Sequence, residues 1–178
     1  MNMKPFHLAI PVHDLEESIT FYKSIFPISF GRSAENWIDL NFYGHQLVLH
    51  MQKDYQANEG FNHVDGDNVP FPHFGIILSV DEFYSVTKNV EASKINYYID
   101  PRTRFKNTDG EQSTFFLKDP SGNFIEVKAF KNIDNLFKSY LIFFKFTPLD
   151  TSKIFVEFLL NFDIFITQRP FSKVYRSS

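Results

Sequence analysis

The sequence contains no cysteine among its 178 residues, which excludes disulfide bonds, thiolate metal sites and cysteine nucleophiles. It has no block of basic residues and a net charge of −3, so nucleic-acid binding is not expected. No apolar run reaches the roughly 18 residues that a transmembrane helix needs, and the N-terminal residues lack the features of a signal peptide. The sequence therefore predicts a cytoplasmic protein that does not bind membranes.

The motifs of several common enzyme classes are also missing. There is no phosphate-binding loop, no glycine pattern for a dinucleotide and no serine-hydrolase elbow. The length predicts one main domain with a core of useful size.

The order of predicted elements, βαβββ, occurs twice along the chain. The first repeat covers about residues 5–53 and the second about 71–131, with a polar loop predicted over 54–70. Together they predict an α+β domain over 1–131, in which paired βαβββ units form a curved, barrel-like mixed sheet. The remaining residues, 132–178, form an extension that belongs to neither repeat.

Single residues coincide when the repeats are superposed. Each first strand carries a histidine, and a turn glycine lies four residues before the matched position of each last strand. The matched pairs are His7 with His73, Gly44 with Gly122, and Val48 with Glu126. In the second repeat, the pattern predicts a helix from Asp81, a strand over 95–99, and a closing hairpin around the turn Asp119–Gly122.

The extension is rich in phenylalanine, of which the chain holds 23. Its periodicity is poor, and three interpretations remain open: an extra helix on the barrel, an oligomerisation arm, or an extension without a structural purpose. An exposed segment of this composition is also prone to aggregate.

His7, His73 and Glu126 are the candidate metal ligands. A lone histidine in a strand is commonly a core residue, and a strand glutamate points either to solvent or into a cavity. Two histidines related by the repeat, together with a glutamate in the last strand, favour a metal site. Two imidazoles and one carboxylate suit Fe(II) or Mn(II) and leave positions open, where two substrate oxygens or dioxygen could bind and an enolate could be stabilised.

The strand after Gly44 presents a second set of candidates. Strand alternation places Gln46, Val48 and His50 on one face, turned towards the cavity if Val48 matches Glu126. His50 is then the candidate general base, because histidine is the side chain whose ordinary pKa lies near physiological pH. A ligand role and a hydrogen-bonded histidine at the mouth of the barrel remain alternatives.

Three cations follow the second helix at a spacing of two, namely Arg102, Arg104 and Lys106. On a strand they would share one face and could hold a carboxylate or another anionic group. The solvated end of a hairpin is the alternative interpretation. Arg104 is kept as a candidate substrate-binding residue, together with Gln46 and Trp37.

The paired units, the helix-opening segment Asp14–Tyr22 and the turn Asp119–Asn123 resemble the vicinal oxygen chelate superfamily. That superfamily includes glyoxalase I, extradiol dioxygenases, bleomycin-resistance proteins and fosfomycin-resistance thiol transferases. The resemblance covers residues 5 to about 130 and is greatest to a small glyoxalase-like or dioxygenase-like branch. It implies one divalent metal ion, with Fe(II) or Mn(II) favoured and zinc or nickel as alternatives, held by His7, His73 and Glu126.

One position departs from glyoxalase I, which takes a fourth ligand, a glutamate, from the last strand of the first repeat. Val48 stands there in this chain and cannot bind metal, so a standard glyoxalase I is disfavoured. The resemblance implies a homodimeric, metal-dependent enzyme acting on a small oxygen-rich substrate, as a dioxygenase or as a lyase or isomerase. The alternative is a metal-free protein of the bleomycin-resistance type that binds or sequesters a small molecule.

Overall fold

The computed structural model describes residues 4–137, and the first repeat occupies its N-terminal part. One strand is followed by a helix and then by three further strands. These elements are β1 (His7–Val12), α1 (Leu15–Ile25), β2 (Ser29–Ala34), β3 (Trp37–Phe42) and β4 (His45–Met51).

The second repeat follows a two-stranded hairpin and has the same order. The hairpin consists of β5 (Gly60–Val64) and β6 (Asp67–Phe71). The repeat itself consists of β7 (His73–Leu78), α2 (Val80–Ala92), β8 (Ile99–Arg104), β9 (Gln112–Lys118) and β10 (Phe124–Phe130), followed by a short 3₁₀ helix, Ile133–Asn135.

Each repeat forms one four-stranded mixed sheet with the same topology. The strand orders are β1-β4-β3-β2 and β7-β10-β9-β8, and the first strand runs parallel to the last in both sheets. The other neighbouring strands pair antiparallel. The prediction of an α+β fold built from paired βαβββ units is therefore confirmed.

Both helices begin at well-defined N-caps. The Asp14 side chain accepts a hydrogen bond from the backbone N–H of Glu17 at the start of α1. At the start of α2, Ser79 and Glu82 form a reciprocal capping box, so this helix begins just before the predicted Asp81. None of the helices in residues 4–137 is long and apolar enough to cross a membrane.

The hydrophobic core lies between the helices and one face of each sheet. From the helices it takes chiefly Phe21, Tyr22, Ile25, Phe83, Val86 and Val90, and from the sheets Leu47, Leu49, Phe115, Leu117, Ile125 and Val127. Leu47 and Leu49 thus lie on the helix side, as strand alternation predicts for the face opposite Val48. The other face of each sheet, turned away from its helix, is called the distal face below.

The turn before β10 is held by a buried carboxylate. Asp119 Oδ1 accepts hydrogen bonds from the backbone N–H groups of Ser121 and Asn123, and its Oδ2 accepts one from Tyr22 Oη at 3.0 Å. Burial raises the pKa of Asp119 although these bonds oppose the shift. Asn123 Nδ2 also donates to the carbonyl of Pro11 at 2.9 Å, so the turn joins the two repeats and positions the start of β10.

The loop predicted over 54–70 is not wholly irregular, since it contains the β5–β6 hairpin. Asp65 and Gly66 both have positive φ, 49° and 86°, as the two-residue turns that join hairpin strands require. The Asp-Gly pair was the sequence signal for this turn. The flanking residues gave none, because their apolar residues, among them Phe61, Val64 and Val69, do not alternate regularly with polar ones.

The strand predicted over 95–99 lies later in the chain, at Ile99–Arg104. A register shift between Ile99 and Arg102 lets this edge strand include Pro101, which an inner strand would not tolerate. Apolar residues before Ile99 suggested a strand there, but Tyr97 packs against the core from outside the sheet. The three interpretations of the Phe-rich extension concern residues that lie mostly after Phe137, outside the described part of the chain.

Candidate metal and substrate site

His73 and Glu126 meet on the distal face of the second sheet. They lie on adjacent parallel strands, where His73 is the partner of Phe124 and Gly75 is the partner of Glu126. A Cβ atom on Gly75 would lie 1.8 Å from the backbone oxygen of Glu126, so only glycine permits this approach of the strands. His73 Nε2 and Glu126 Oε2 are 3.3 Å apart.

The His73 ring is oriented by the end of the hairpin. Its Nδ1 lies 2.6 Å from the backbone carbonyl of Pro70, which can only accept a hydrogen bond. Nδ1 therefore carries a proton, and Nε2, which is directed at Glu126, carries a second proton when it donates to that carboxylate. The hydrogen bond with Glu126 raises the pKa of His73, although partial burial opposes the shift.

Glu126 is 8% exposed, and both of its carboxylate oxygens are occupied. Oε1 accepts a hydrogen bond from Thr114 Oγ1 at 2.8 Å. Oε2 faces His73 and also lies 3.0 Å from Lys128 Nζ. Burial by itself would raise the pKa of Glu126, but its partners His73, Lys128 and Thr114 outweigh burial and hold the pKa below its usual value.

His7 occupies the matching place on the distal face of the first sheet. It is exposed, and its Nδ1 lies 2.8 Å from Gln46 Oε1, an amide oxygen that only accepts hydrogen bonds. As in His73, the bonded atom is Nδ1, and Nε2 remains available. Within residues 4–137, however, no three His, Asp or Glu side chains lie close enough together to hold a metal ion, so one chain does not bring His7 to the His73–Glu126 pair.

Val48 and His50 lie on the same distal face, further along β4. Val48 is the partner of Ala9 and is buried, so it has the place that Glu126 has in the second sheet. His50 is exposed and adjoins Trp37, with ring centroids 6.5 Å apart. Gln46 is the strand partner of His7, and His50 lies four residues further along β4, about 13 Å away. His50 and Trp37 therefore form a separate aromatic pair.

Arg104 faces the hairpin, and its guanidinium is anchored there. Its Nη2 lies 2.6 Å from Asp67 Oδ2, its Nη1 donates to the carbonyl of Val64, and the residue is only 3% exposed. Arg102 binds the same oxygen of Asp67 at 2.6 Å, but its side chain is 43% exposed. The two arginines thus share a face as predicted for a strand, while Lys106 lies beyond the end of β8.

A cavity of about 190 Å³ borders His73 between β1 and β7. Its wall is mainly apolar and includes Leu8, Ile10, Tyr55, Pro72, Phe74 and Phe124. Tyr55 Oη donates a hydrogen bond to Asn123 Oδ1 at 3.0 Å and thereby ties the segment after β4 to the turn before β10. The cavity gives a small molecule space beside the His73 ring.

The donor atoms of the second sheet fit a divalent metal ion. His73 Nε2, once it has lost its proton, and the Glu126 carboxylate could bind one ion, and each of these candidate ligands is oriented by a further hydrogen bond, from His73 to Pro70 and from Thr114 to Glu126. Hydrogen bonds of this kind typically fix the orientation of metal-binding side chains in proteins. One chain therefore places two oriented candidate ligands together, and His7 uses the same ring nitrogen, Nδ1, for its hydrogen bond but has no carboxylate beside it.

Sequence reasoning missed two residues of this region. Lys128 follows Glu126 at a spacing of two, and strand alternation alone would have placed both on one face. Asp67 carries the contacts with Arg102 and Arg104, and its role could not be inferred without knowing that the hairpin folds towards the second sheet.

Comparison with known families agrees with this architecture. Residues 4–127 match the sequence profile of the Glyoxalase/Bleomycin resistance protein/Dioxygenase superfamily. The chain belongs to this superfamily. No curated protein gives a significant match to the chain.

Solved structures of the superfamily and its fold are also similar. A glyoxalase/bleomycin resistance protein/dioxygenase from Alicyclobacillus acidocaldarius is 31% identical, with a TM-score of 0.63, and the match covers 78% of this chain and 100% of that one. The fosfomycin resistance protein FosX from Listeria monocytogenes is 15% identical, with a TM-score of 0.54, over 76% of this chain and 98% of that one. The virulence protein STM3117 from Salmonella typhimurium is 23% identical, with a TM-score of 0.51, over 73% of this chain and 98% of that one. The last two show a shared fold alone.

Proposed function

We propose that the protein is a metal-dependent enzyme that acts on a small oxygen-rich molecule, as a dioxygenase or as a lyase or isomerase. The observation that carries this proposal is the geometry of His73 and Glu126. The imidazole Nε2 faces the carboxylate at 3.3 Å, while Nδ1 is bound to the Pro70 carbonyl. A histidine that served only the core would not need a buried carboxylate at its second nitrogen.

The ligand set favours Fe(II) or Mn(II), with zinc and nickel as alternatives. Members of the superfamily often use a divalent metal. His7, His73 and Glu126 would provide two imidazoles and one carboxylate, a set that leaves positions open for substrate oxygens. When bound, the ion would act as a Lewis acid and stabilise negative charge on two neighbouring oxygens of the substrate.

We infer that a second copy of the chain supplies His7. His7 is exposed and directs no contact at the His73–Glu126 pair of its own chain, yet its Nδ1 is oriented like that of His73. Dimers are common in the superfamily. A homodimer in which the distal faces of a first and a second sheet meet would complete two equivalent sites.

The remaining candidate residues have proposed roles that their contacts support. Gln46 fixes the ring of His7, which makes it a ligand-positioning residue as well as a candidate contact for substrate. His50 lies on the same distal face and is the candidate general base, with Trp37 beside it as an aromatic wall for the substrate. Arg104 contributes by holding the hairpin whose Pro70 carbonyl orients His73.

A metal-free binding protein is the second candidate, and one observation favours it. Lys128 already provides a cation at Glu126 Oε2, so the buried carboxylate is satisfied without a metal ion. A protein of this kind would hold a small molecule in the cavity beside His73 and would not transform it.

Anaerobic metal analysis of the purified protein tests the proposal. We expect about one divalent ion per chain in the wild type and none in His73→Ala or Glu126→Ala, because each change removes one of three ligands. His63→Ala is the matched control, since His63 is exposed and lies in the hairpin near Asn68. This control should keep the wild-type metal content.

The identity of the metal directs the search for substrate. Iron would lead to oxygen consumption with catechols as the next assay, whereas manganese, nickel or zinc would turn the search to lyases and isomerases. If neither the wild type nor the variants bind metal under any reconstitution, the enzyme proposal is wrong and the binding protein takes its place. Loss of metal on His7→Ala, together with a dimer in solution, would support the shared site.

A further inference from the structure

Lys128 lies at the centre of the candidate site although no ligand pattern includes it. It follows Glu126 by two residues on β10 and therefore lies on the same distal face. Its Nζ is 3.0 Å from Glu126 Oε2, and its side chain is 30% exposed. Among residues 4–137, Glu126 is its one ion-pair partner.

The two oxygens of Glu126 are not equivalent. Oε1 is bound by Thr114 Oγ1 at 2.8 Å, so it is directed into the sheet. Oε2 is the oxygen that faces His73 Nε2, and it is also the oxygen that Lys128 contacts. A divalent ion held by His73 and Glu126 would need the oxygen that the ammonium group now occupies.

An ammonium group and a metal ion at one carboxylate oxygen oppose each other. They compete for the same lone pairs, and they repel each other because both are positive. When the ion binds, Lys128 loses its partner and remains beside the site with an uncompensated charge. A buried or half-buried cation in that situation is stabilised by a new anion.

The surrounding charges also favour an anion. Thr114 is the strand partner of both Lys128 and Arg102, so the two cations lie in one row across the sheet, about 10 Å apart at Cα. Around Thr114, the three cations Lys128, Arg102 and Arg104 share only two carboxylates, those of Glu126 and Asp67, in a chain of net charge −3. A divalent ion would add two further positive charges.

We propose that Lys128 exchanges partners: it neutralises Glu126 in the metal-free protein and binds an oxyanion of the substrate, a carboxylate or a phosphoryl-type group, when the metal is bound. This inference rests on the proposed function and deepens it by naming the chemical class of the substrate. Lys128 is thus a competitor of the metal and, in the loaded protein, a substrate-binding residue.

Metal affinity provides the first test. Mn(II) is titrated into the metal-free protein, and its affinity is compared among the wild type, Lys128→Met, Lys128→Arg and the control Lys131→Met. Lys131 also pairs with a glutamate, Glu111, but at an exposed position outside the site. We expect Lys128→Met to bind Mn(II) about tenfold more tightly than the wild type, a difference of about 1.4 kcal/mol, while the other two variants stay near it.

Phosphate binding provides the second test. The broadening of the ³¹P signal of inorganic phosphate by the Mn(II)-loaded protein reports phosphate close to the ion. We expect Lys128→Met to bind phosphate about tenfold more weakly, Lys128→Arg to restore most of the binding, and Lys131→Met to have no effect. A thermal unfolding curve for each variant checks that the fold is retained.

The outcomes separate this inference from the proposed function. If the wild type binds Mn(II) through His73, but Lys128→Met binds it no more tightly and binds phosphate equally well, the exchange is wrong and the metal enzyme stands. If Lys128→Met binds Mn(II) more tightly but binds phosphate as well as the wild type does, the role of Lys128 in substrate binding is wrong. If neither the wild type nor Lys128→Met binds Mn(II), both proposals fail. Binding by Lys128→Met alone would support the competition and show that the native lysine keeps the site metal-free.

Discussion

The two repeats have the same topology and register but opposite chemistry at the matched position of the last strand. In the first sheet Ala9 is the partner of Val48, and in the second sheet Gly75 is the partner of Glu126. Each pair lies two residues beyond the strand histidine. The first repeat thus provides a histidine beside an apolar wall, and the second provides a histidine beside a carboxylate.

The comparison extends to the next residues on the distal faces. His50 and Lys128 are the matched residues after Val48 and Glu126, with Pro11 and Ile77 as their strand partners. One repeat therefore carries an imidazole at this place, and the other carries an ammonium group. The duplicated fold places matched side chains at equivalent positions in the two sheets. The residue types at those positions give each repeat a different chemistry.

The largest effect is expected where the repeats differ by one methyl group, at Gly75. Gly75→Ala would place a Cβ atom against the backbone oxygen of Glu126, which cannot move without breaking the pairing of β7 and β10. We expect a loss of about 3 kcal/mol in the free energy of unfolding, together with loss of metal binding. Urea unfolding measures the first and metal analysis the second.

Ala9→Gly is the matched control, because Ala9 already carries a methyl group at the same place in the first sheet. This change should lower the free energy of unfolding by about 1 kcal/mol or less, chiefly because glycine loses more backbone entropy on folding. Equal losses for the two variants would show that the close approach at Gly75 does not matter.

A smaller effect is expected at the hairpin, which has no counterpart inside either repeat. Arg104→Met removes a buried guanidinium that binds Asp67 and the Val64 carbonyl, and should lower the free energy of unfolding by about 2 kcal/mol. Arg102→Met removes an exposed partner of the same carboxylate and should cost about 0.5 kcal/mol. Urea unfolding gives both values, and hydrogen exchange shows whether the amides of β5 and β6 open first. If Arg102→Met lowers the free energy of unfolding more than Arg104→Met does, Arg102 rather than Arg104 is the residue that holds the hairpin.

Tyr22 in α1 allows a test of the turn that joins the repeats. Tyr22→Phe removes the hydrogen bond to Asp119 and should cost about 1 kcal/mol. Burial, followed by the nearby Asp119 charge, raises the pKa of Tyr22 well above its usual value. A raised folded-state pKa means that the unfolded chain loses this proton first, near pH 10.

The contribution of Tyr22 to stability is therefore complete below pH 10 and declines as the pH rises towards the folded-state pKa. The advantage of the wild type over Tyr22→Phe should shrink by about 1.4 kcal/mol per pH unit above 10. Unfolding of both proteins in urea between pH 8 and about pH 11 measures the difference. A constant difference across this range would contradict the expected titration of the buried phenol.

The smallest effect is expected at Thr87, which lies eight residues after the N-cap of α2, as Tyr22 does in α1. Its Oγ1 donates only to the Phe83 carbonyl within the same helix. Thr87→Val should therefore change the free energy of unfolding by about 0.5 kcal/mol or less. A loss as large as that of Tyr22→Phe would mean that the two helix positions serve similar contacts.

Much of the fold could be predicted because its signals are local. Each repeat can be recognised from an apolar strand, a capped amphipathic helix and a hairpin turn at a glycine. These glycines are Gly44 in the first repeat and Gly122 in the second, and both have positive φ. The pairing of His7 with His73 followed from the repeat, and strand alternation placed Val48 and His50 on one face. The assignment of His7, His73 and Glu126 as ligands stays a prediction.

The errors of prediction arose where distant contacts decide local structure. The hairpin strands β5 and β6 show no regular alternation of apolar and polar residues, and Phe61 in β5 lies against Tyr98 and Phe124 of the second repeat. β8 contains a proline and few apolar residues, and its pairing with β9 is supported by Asp67 from the hairpin. Neither interaction can be read from the periodicity of the segment itself.

The sequence by itself determined the repeated βαβββ order, the turn positions and the faces on which the candidate residues lie, because backbone preference and strand alternation act over a few residues. Tertiary structure decided which candidates meet. His73 contacts Glu126 because β7 and β10 approach closely at Gly75. Glu126 also forms an ion pair with Lys128, whereas His7 lies on the other sheet. Such contacts depend on the packing of strands far apart in the chain, and no local pattern records that packing.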